Sequence, residues 1–139
     1  MASTIHVDIV SPEGQLFSGE AHRVFVPGVE GELGIAPRHA PLLTTMVAGV
    51  VRVQVEGQEE QAFYVGGGAL EIQPKRVSVL ADTAARARDL DEAAAQAAKQ
   101  AAETAMRGAK HKMDLAEAHA ELARAVAQLR TIEALRKKL

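Results

Sequence analysis

The chain predicts a β plus α fold: an N-terminal antiparallel β-sandwich followed by a C-terminal two-helix antiparallel hairpin. Three observations lead there. All of the 11 glycines except Gly108, and all 5 prolines, precede Asp82. The chain then turns alanine-rich, with 19 alanines between Ala84 and Ala134. Before the break, short runs of alternating apolar and polar residues stand between turn signals. Glycine and proline punctuate a chain that turns often, and alanine is the residue a helix holds at least cost. The boundary is therefore drawn after residue 84, with 1–84 as the sandwich and 85–139 as the hairpin.

The first strand is marked by Ile5, Val7 and Ile9 alternating with His6 and Asp8. The same period returns at Val51, Val53 and Val55 against Arg52, Gln54 and Glu56, as expected of strands buried on one side. Ser11-Pro12-Glu13-Gly14, Pro27-Gly28, Glu56-Gly57-Gln58 and Gln73-Pro74-Lys75 supply the turns. Many short strands at close spacing indicate a sandwich or flattened barrel. Gly66, Gly67 and Gly68 fall between Phe63-Tyr64-Val65 and Leu70-Glu71-Ile72. They predict a bulge or tight crossing, since a phosphate-binding loop needs a following helix.

Beyond the break, Asp89 or Asp91 can cap a helix, and Gly108 with Ala109-Lys110-His111-Lys112 interrupts it. This gives helices of roughly 18 and 25 residues, joined closely enough to fold back on each other. In the second, Leu115, Ala118, Leu122, Ala125, Leu129 and Ile132 make an apolar seam. In the first, Leu90, Ala94, Ala97, Ala101 and Thr104 share a weaker face. Burying alanine removes little apolar area, at about 25 cal/mol per Å². The hairpin is thus expected to detach at modest cost.

Composition excludes several classes of function. There is no cysteine, hence no disulfide framework and no thiolate chemistry. No apolar stretch has the length of a membrane span, and no secretory signal opens the chain, so a soluble protein is expected. The first 86 residues carry 6 basic and 10 acidic side chains and the remainder 10 and 8, without the basic, aromatic-interleaved surface that nucleic acid requires. The phosphate-loop, zinc-helix and nucleophile-elbow motifs are missing. The five histidines are dispersed, and no nucleophile is paired with a base, so neither a catalytic nor a metal site is expected.

The most unusual segment is Glu30 to Thr44, EGELGIAPRHAPLLT, with two glycines, two prolines and the apolar Ile35, Leu42 and Leu43. It fits either a buried crossing between sheets or a rigid loop offered to a partner. Here the chain resembles the epsilon subunit of bacterial F-type ATP synthases. VSPEGQLFSGE from Val10, GGGALEI from Gly66, VSVLADTA from Val77, DLDEA from Asp89 and ELARAVAQLR from Glu121 extend the resemblance over essentially the whole chain.

The resemblance implies a non-catalytic central-stalk subunit, peripheral at the cytoplasmic face of the bacterial membrane, that couples proton flow to rotation. Its sandwich would bind the gamma subunit and the c-subunit ring, with Glu30, Glu32, His39 and Leu42 in the ring-facing loop. Its helices would extend to the alpha and beta subunits and inhibit ATP hydrolysis, Arg124, Arg130, Arg136 and Lys137 giving the last helix a basic character. Some members of the family bind ATP through a pattern of Ile or Leu, Asp, two variable residues, Arg and Ala. The matching stretch here keeps Asp91 and Ala95 but has Ala94 in place of the arginine. Losing that guanidinium removes a charge-assisted donor to an anion, so no cofactor is expected and ATP binding should be weak or absent. Two other readings remain open: a nucleotide-sensing module closed by its hairpin, and a free-standing sandwich adaptor with a helical tail.

Overall fold

The computed structural model describes residues 3–136. Lys137, one of the basic residues singled out above, lies outside the described residues. Ten strands precede the helices: β1 (Ile5–Ser11), β2 (Gly14–Ala21), β3 (Arg23–Gly28), β4 (Gly31–Ile35), β5 (Leu42–Met46), β6 (Gly49–Gln54), β7 (Gln61–Val65), β8 (Gly68–Gln73), β9 (Arg76–Ala81) and β10 (Ala84–Arg86). They pair in the order β10-β7-β6-β3-β5-β8-β9-β1-β2, with β4 added on β3. One pair alone, Gly28 with Met46, joins β3 to β5. The ladder therefore folds there into two facing layers, β10-β7-β6-β3-β4 and β5-β8-β9-β1-β2. The last strand straddles the expected division after residue 84: Ala84–Arg86 pairs with β7, and Arg86 donates a 2.6 Å hydrogen bond to the Leu16 carbonyl, drawing β10 toward β2.

Alternation decides which side chains meet between the layers. Ile5, Val7 and Ile9 of β1, Val24 and Val26 of β3, Val51 and Val53 of β6, and Val77 and Val79 of β9 are fully buried, joined by Leu70 and Ile72. Phe63 completes this core, edge-on to Phe17 at 5.9 Å between centroids.

Several expectations need correction. The sandwich is not wholly antiparallel, because β1 runs parallel to β9; strands so far apart in sequence need no tight turn, which frees their relative direction. Pro27-Gly28 is the end of β3, and the turn is Val29-Glu30. Pro27 stands beyond the last β3-β6 pair, Phe25 with Arg52, where its missing N–H costs no ladder bond, and its carbonyl accepts from the Val47 amide at 3.0 Å. Within the Glu30 to Thr44 segment, Ile35 is a core residue, as the buried-crossing alternative requires at that point. The glycine triplet is a tight crossing: Gly67 and Gly68 have φ of 123° and 134°, and a Cβ on Gly68 would strike the Leu80 carbonyl and Ala81.

After a short 3-10 turn at Ala87–Asp89, α1 (Glu92–Gly108) and α2 (Lys112–Arg136) form the hairpin. Asp91 is the N-cap of α1, its carboxylate accepting from the Ala94 amide at 3.1 Å. The expected face of α1 is wrong. Ala94, Ala97, Ala101 and Thr104 are exposed, while Ala95 and Ala102 are buried, with Glu92, Lys99 and Met106 half-buried on the same side. Alanine occupies so many positions of α1 that periodicity could not select a face. On α2, Ala118, Ala125 and Ile132 are buried, but Leu115, next to the interhelical turn, is 38% exposed.

Candidate functional site

The chemistry of this chain is spread over three surfaces of the sandwich and hairpin. The first is the crevice between α2 and the β6-β7 layer, on which the hairpin lies folded. Helical spacing places Ala118, Ala125, Ile132 and Arg136 on one side of α2, toward α1, and Ala127, Arg130, Thr131 and Ala134 on the other, toward the strands. Ala127 and Thr131 are buried, and Thr131 spends its hydroxyl on the Ala127 carbonyl at 2.7 Å. The buried side chains of α2 are thus small except for Ile132, with Leu122, Val126, Leu129 and Leu135 half-buried around them. A cavity of about 450 Å³ remains between α2 and the sheet, lined in part by Pro27, Glu32, Val50, Arg52, Arg130 and Ala134.

The basic residues of α2 do not form one face. Arg136 pairs with Glu92 at the start of α1, clasping the open end of the hairpin; this hydrogen bond and charge raise the Arg136 guanidinium above its ordinary value. Arg130 borders the crevice. Arg124 is half-buried between these directions. Among the described residues, neither Arg124 nor Arg130 makes an ion pair. Asp91, Ala94 and Ala95 sit at the first turn of α1, where the carboxylate is engaged as a helix cap, Ala94 is exposed and Ala95 packs inward.

The second surface is the Glu30 to Thr44 segment. Glu30 lies at the exposed tip of the β3-β4 turn, and the preceding Val29 amide donates to the Thr45 carbonyl at 3.0 Å. Glu32 reaches Arg52 at 3.2 Å. The Arg52 guanidinium also contacts Glu60 at 3.2 Å and stacks 4.2 Å over the Phe25 ring. His39 is half-buried, its Nδ1–H donating to the Ala40 carbonyl at 2.8 Å. Leu42 pairs across from Ile72, near the β8-β9 turn to which the Arg38 amide is bonded. Glu30 and Glu32 therefore border one end of β5 and His39 and Leu42 the other. Sequence reasoning missed Val29 and Val47, 55% and 45% exposed, which flank Glu30; turn residues carry no periodicity that would have marked them.

The third surface is the outer face of β5-β8-β9-β1-β2. Register places Leu43, Thr45, Ala69, Leu80 and Val10 on it, with Leu43 74% and Leu80 50% exposed. Beside this apolar row the fold assembles a polar cluster that the dispersed sequence positions concealed. His6 Nδ1 lies 2.8 Å from Glu20 Oε2 and its Nε2 3.1 Å from Asp8 Oδ1. Ser18 donates to Asp8 at 2.7 Å, and Arg76 approaches Asp8 at 3.6 Å. The Glu20 hydrogen bond, aided by Asp8 and opposed by partial burial, holds the His6 imidazole above its ordinary value. Desolvation pushes Asp8 up but is outweighed by its bonds from Ser18 and His6, and by the charges of His6 and Arg76, so it lies low. His6, then Thr4, lowers Glu20. Ser18 Oγ also lies 3.3 Å from His6 Nε2, but its shorter bond, 2.7 Å, is donated to the Asp8 carboxylate. Among the described residues, no group of three His, Asp or Glu side chains is arranged to hold a metal.

Two family models divide the chain where its architecture changes: "ATP synthase, Delta/Epsilon chain, beta-sandwich domain" matches residues 4–87 and "ATP synthase, Delta/Epsilon chain, long alpha-helix domain" residues 88–133. The chain is 59% identical over 137 residues to ATP synthase epsilon chain 1 of Methylococcus capsulatus, covering 99% of this chain and 98% of that one. It is 57% identical to the epsilon chain of Halorhodospira halophila, covering 98% and 97%, and 56% identical to that of Nitrosococcus oceani, covering 100% and 99%. A chain in a structure of the Euglena gracilis mitochondrial ATP synthase, OSCP/F1/c-ring, has the same fold at a TM-score of 0.80 and 16% identity, covering 95% of this chain and 81% of that one.

Proposed function

The chain belongs to the ATP synthase delta/epsilon family, as an epsilon chain, and from that premise we propose that its sandwich is the anchor and its hairpin the movable regulator of a rotary ATP synthase. It is a non-catalytic subunit with a coupling role. The observation that carries the division of labour is the contrast in packing. The sandwich is closed by fully buried valine, isoleucine, leucine and phenylalanine, whereas the buried side chains of the hairpin are Ala95, Ala102, Ala118, Ala125, Ala127, Thr131 and Ile132. Fully burying a large aliphatic stabilises by about 1.5–3 kcal/mol and an alanine methyl by roughly a third of that. The weaker junction yields first, and α2 is freed while the sandwich stays folded.

The gamma subunit docks on the outer face of β5-β8-β9-β1-β2, where Thr45, Ala69, Leu80 and Val10 lie in one row across the strands with exposed Leu43 beside it. The c-subunit ring is met by the Glu30 to Leu42 segment, with the apolar Val29 and Val47 around Glu30. Released from the crevice, α2 carries Arg124, Arg130 and Arg136 to the alpha and beta subunits, where acidic surface receives them and ATP hydrolysis stops. No described helix is long and apolar enough to cross a membrane, in keeping with a peripheral subunit at the cytoplasmic face. Ala94 disfavours closure by nucleotide, since the side chain there offers no donor to a phosphate.

Truncation after Asp89, which spares β10, tests the assignment in the reconstituted complex. The truncated subunit should assemble and the complex should hydrolyse ATP faster. Unchanged hydrolysis would remove the inhibitory role, and failure to assemble would show that the sandwich is not the anchor.

A further inference from the structure

The His6 cluster has no part in the functions assigned above. Its geometry favours the protonated ring, the neutral Nε2 having only the Ser18 hydroxyl, 3.3 Å away, to accept from. Neutral imidazole has one N–H, but both ring nitrogens of His6 lie within hydrogen-bond distance of a carboxylate oxygen, Glu20 at 2.8 Å and Asp8 at 3.1 Å, and only imidazolium can donate to both. These groups come from different parts of the sheet: His6 and Asp8 from β1, Glu20 and Ser18 from the opposite positions of β2, and Arg76 from β9. The remaining charges nearby are Lys75, whose carbonyl accepts the His6 amide, and Glu71, two strands from Asp8 in register.

We propose that His6 is a proton-operated staple of the open sheet face, fastening β2 to β1 and cancelling the charge of Asp8 and Glu20 while it is protonated. On losing its proton, His6 can satisfy only one carboxylate. The other keeps only its remaining partners, Ser18 and Arg76 for Asp8 or Thr4 for Glu20, and the face gains one unit of negative charge. The pH window follows from the directions of the shifts. The His6 contribution is fully present below 6.5, the ordinary histidine value, and is lost as pH rises through its higher folded value. The Asp8 and Glu20 contributions are present above 3.8 and 4.5 and are lost as pH falls through their lower folded values. The hairpin of β1 and β2 is therefore firmest in mildly acidic to neutral solution and loosens toward alkaline pH. Docking of gamma, if it uses this face as proposed above, weakens over the same interval.

The test uses the full chain. Imidazole resonances of His6 are followed from acid to alkaline pH in wild type and Glu20→Gln, together with protection factors of β1 and β2 amides, corrected for intrinsic exchange, in wild type and His6→Gln. His6 should titrate above 6.5, Glu20→Gln should bring it down, and β1-β2 protection should fall through the His6 transition in wild type but stay level in His6→Gln. Titration at or below 6.5, no response to Glu20→Gln, or identical protection profiles for wild type and His6→Gln would each overturn the staple. Gamma affinity measured over the same range separates the two ideas: if it is flat while His6 titrates high and the strands loosen, the docking assignment fails and the staple stands.

Discussion

Replacing Ile132 by alanine probes the junction on which regulation depends. Ile132 is 8% exposed and, among the described residues, is the one large aliphatic buried on the hairpin. The substitution removes three carbons, roughly 2.4 kcal/mol at about 0.8 kcal/mol per methylene, near the low end of the 2–5 kcal/mol range for isoleucine to alanine. Because the site borders solvent, part of the cavity is relieved, and about 2 kcal/mol is expected. That raises the opening equilibrium of the hairpin roughly 30-fold. Hydrogen exchange of the full chain reads it directly: α1 and α2 amides should lose about that much protection, while β1 and β9 amides keep theirs. Equal losses in helices and strands would show one cooperative unit, and the picture of a separately mobile hairpin would be refuted. So would unchanged helices.

Other perturbations should separate in kind. Phe63→Ala, at a residue 1% exposed in the centre of the sandwich, should cost about 3–5 kcal/mol and lower the urea midpoint of the whole domain; a loss confined to the helices would contradict the core assignment. Asp91→Ala removes the cap of α1 and should cost about 1 kcal/mol, seen as faster exchange in the first turn of α1 only. Calorimetry of ATP against the isolated chain should show no tight binding, since Ala94 supplies no guanidinium; micromolar affinity would mean that another donor replaces it.

The sandwich could be read from sequence because burial on one side writes itself as period two, and Ile5, Val7, Ile9, Val51 and Val53 all point inward as that period requires. The direction of β1 against β9 could not, since strand pairing over such a separation leaves no local trace. The α1 face was lost to alanine: when neighbouring positions carry the same methyl, the seam through Ala95 and Ala102 looks no different from the exposed stripe through Ala94 and Ala101. The His6, Asp8, Ser18, Glu20 and Arg76 cluster depends on the register of three strands and becomes visible only once those strands are paired. Likewise the basic residues of α2 read as one group in sequence, yet helical geometry turns Arg124, Arg130 and Arg136 in three directions.

Holding the hairpin down tests the division into anchor and regulator most directly. Val50 of β6 and Ala134 of α2 line the same crevice, and the chain contains no other thiol to compete with cysteines placed there. A Val50→Cys, Ala134→Cys subunit, joined by a reducible bis-thiol linker and assembled into the complex, should leave ATP hydrolysis uninhibited, and reduction should restore inhibition. Equal inhibition before and after reduction would mean that the hairpin regulates without leaving the sandwich, and the division into a fixed anchor and a movable regulator would fail.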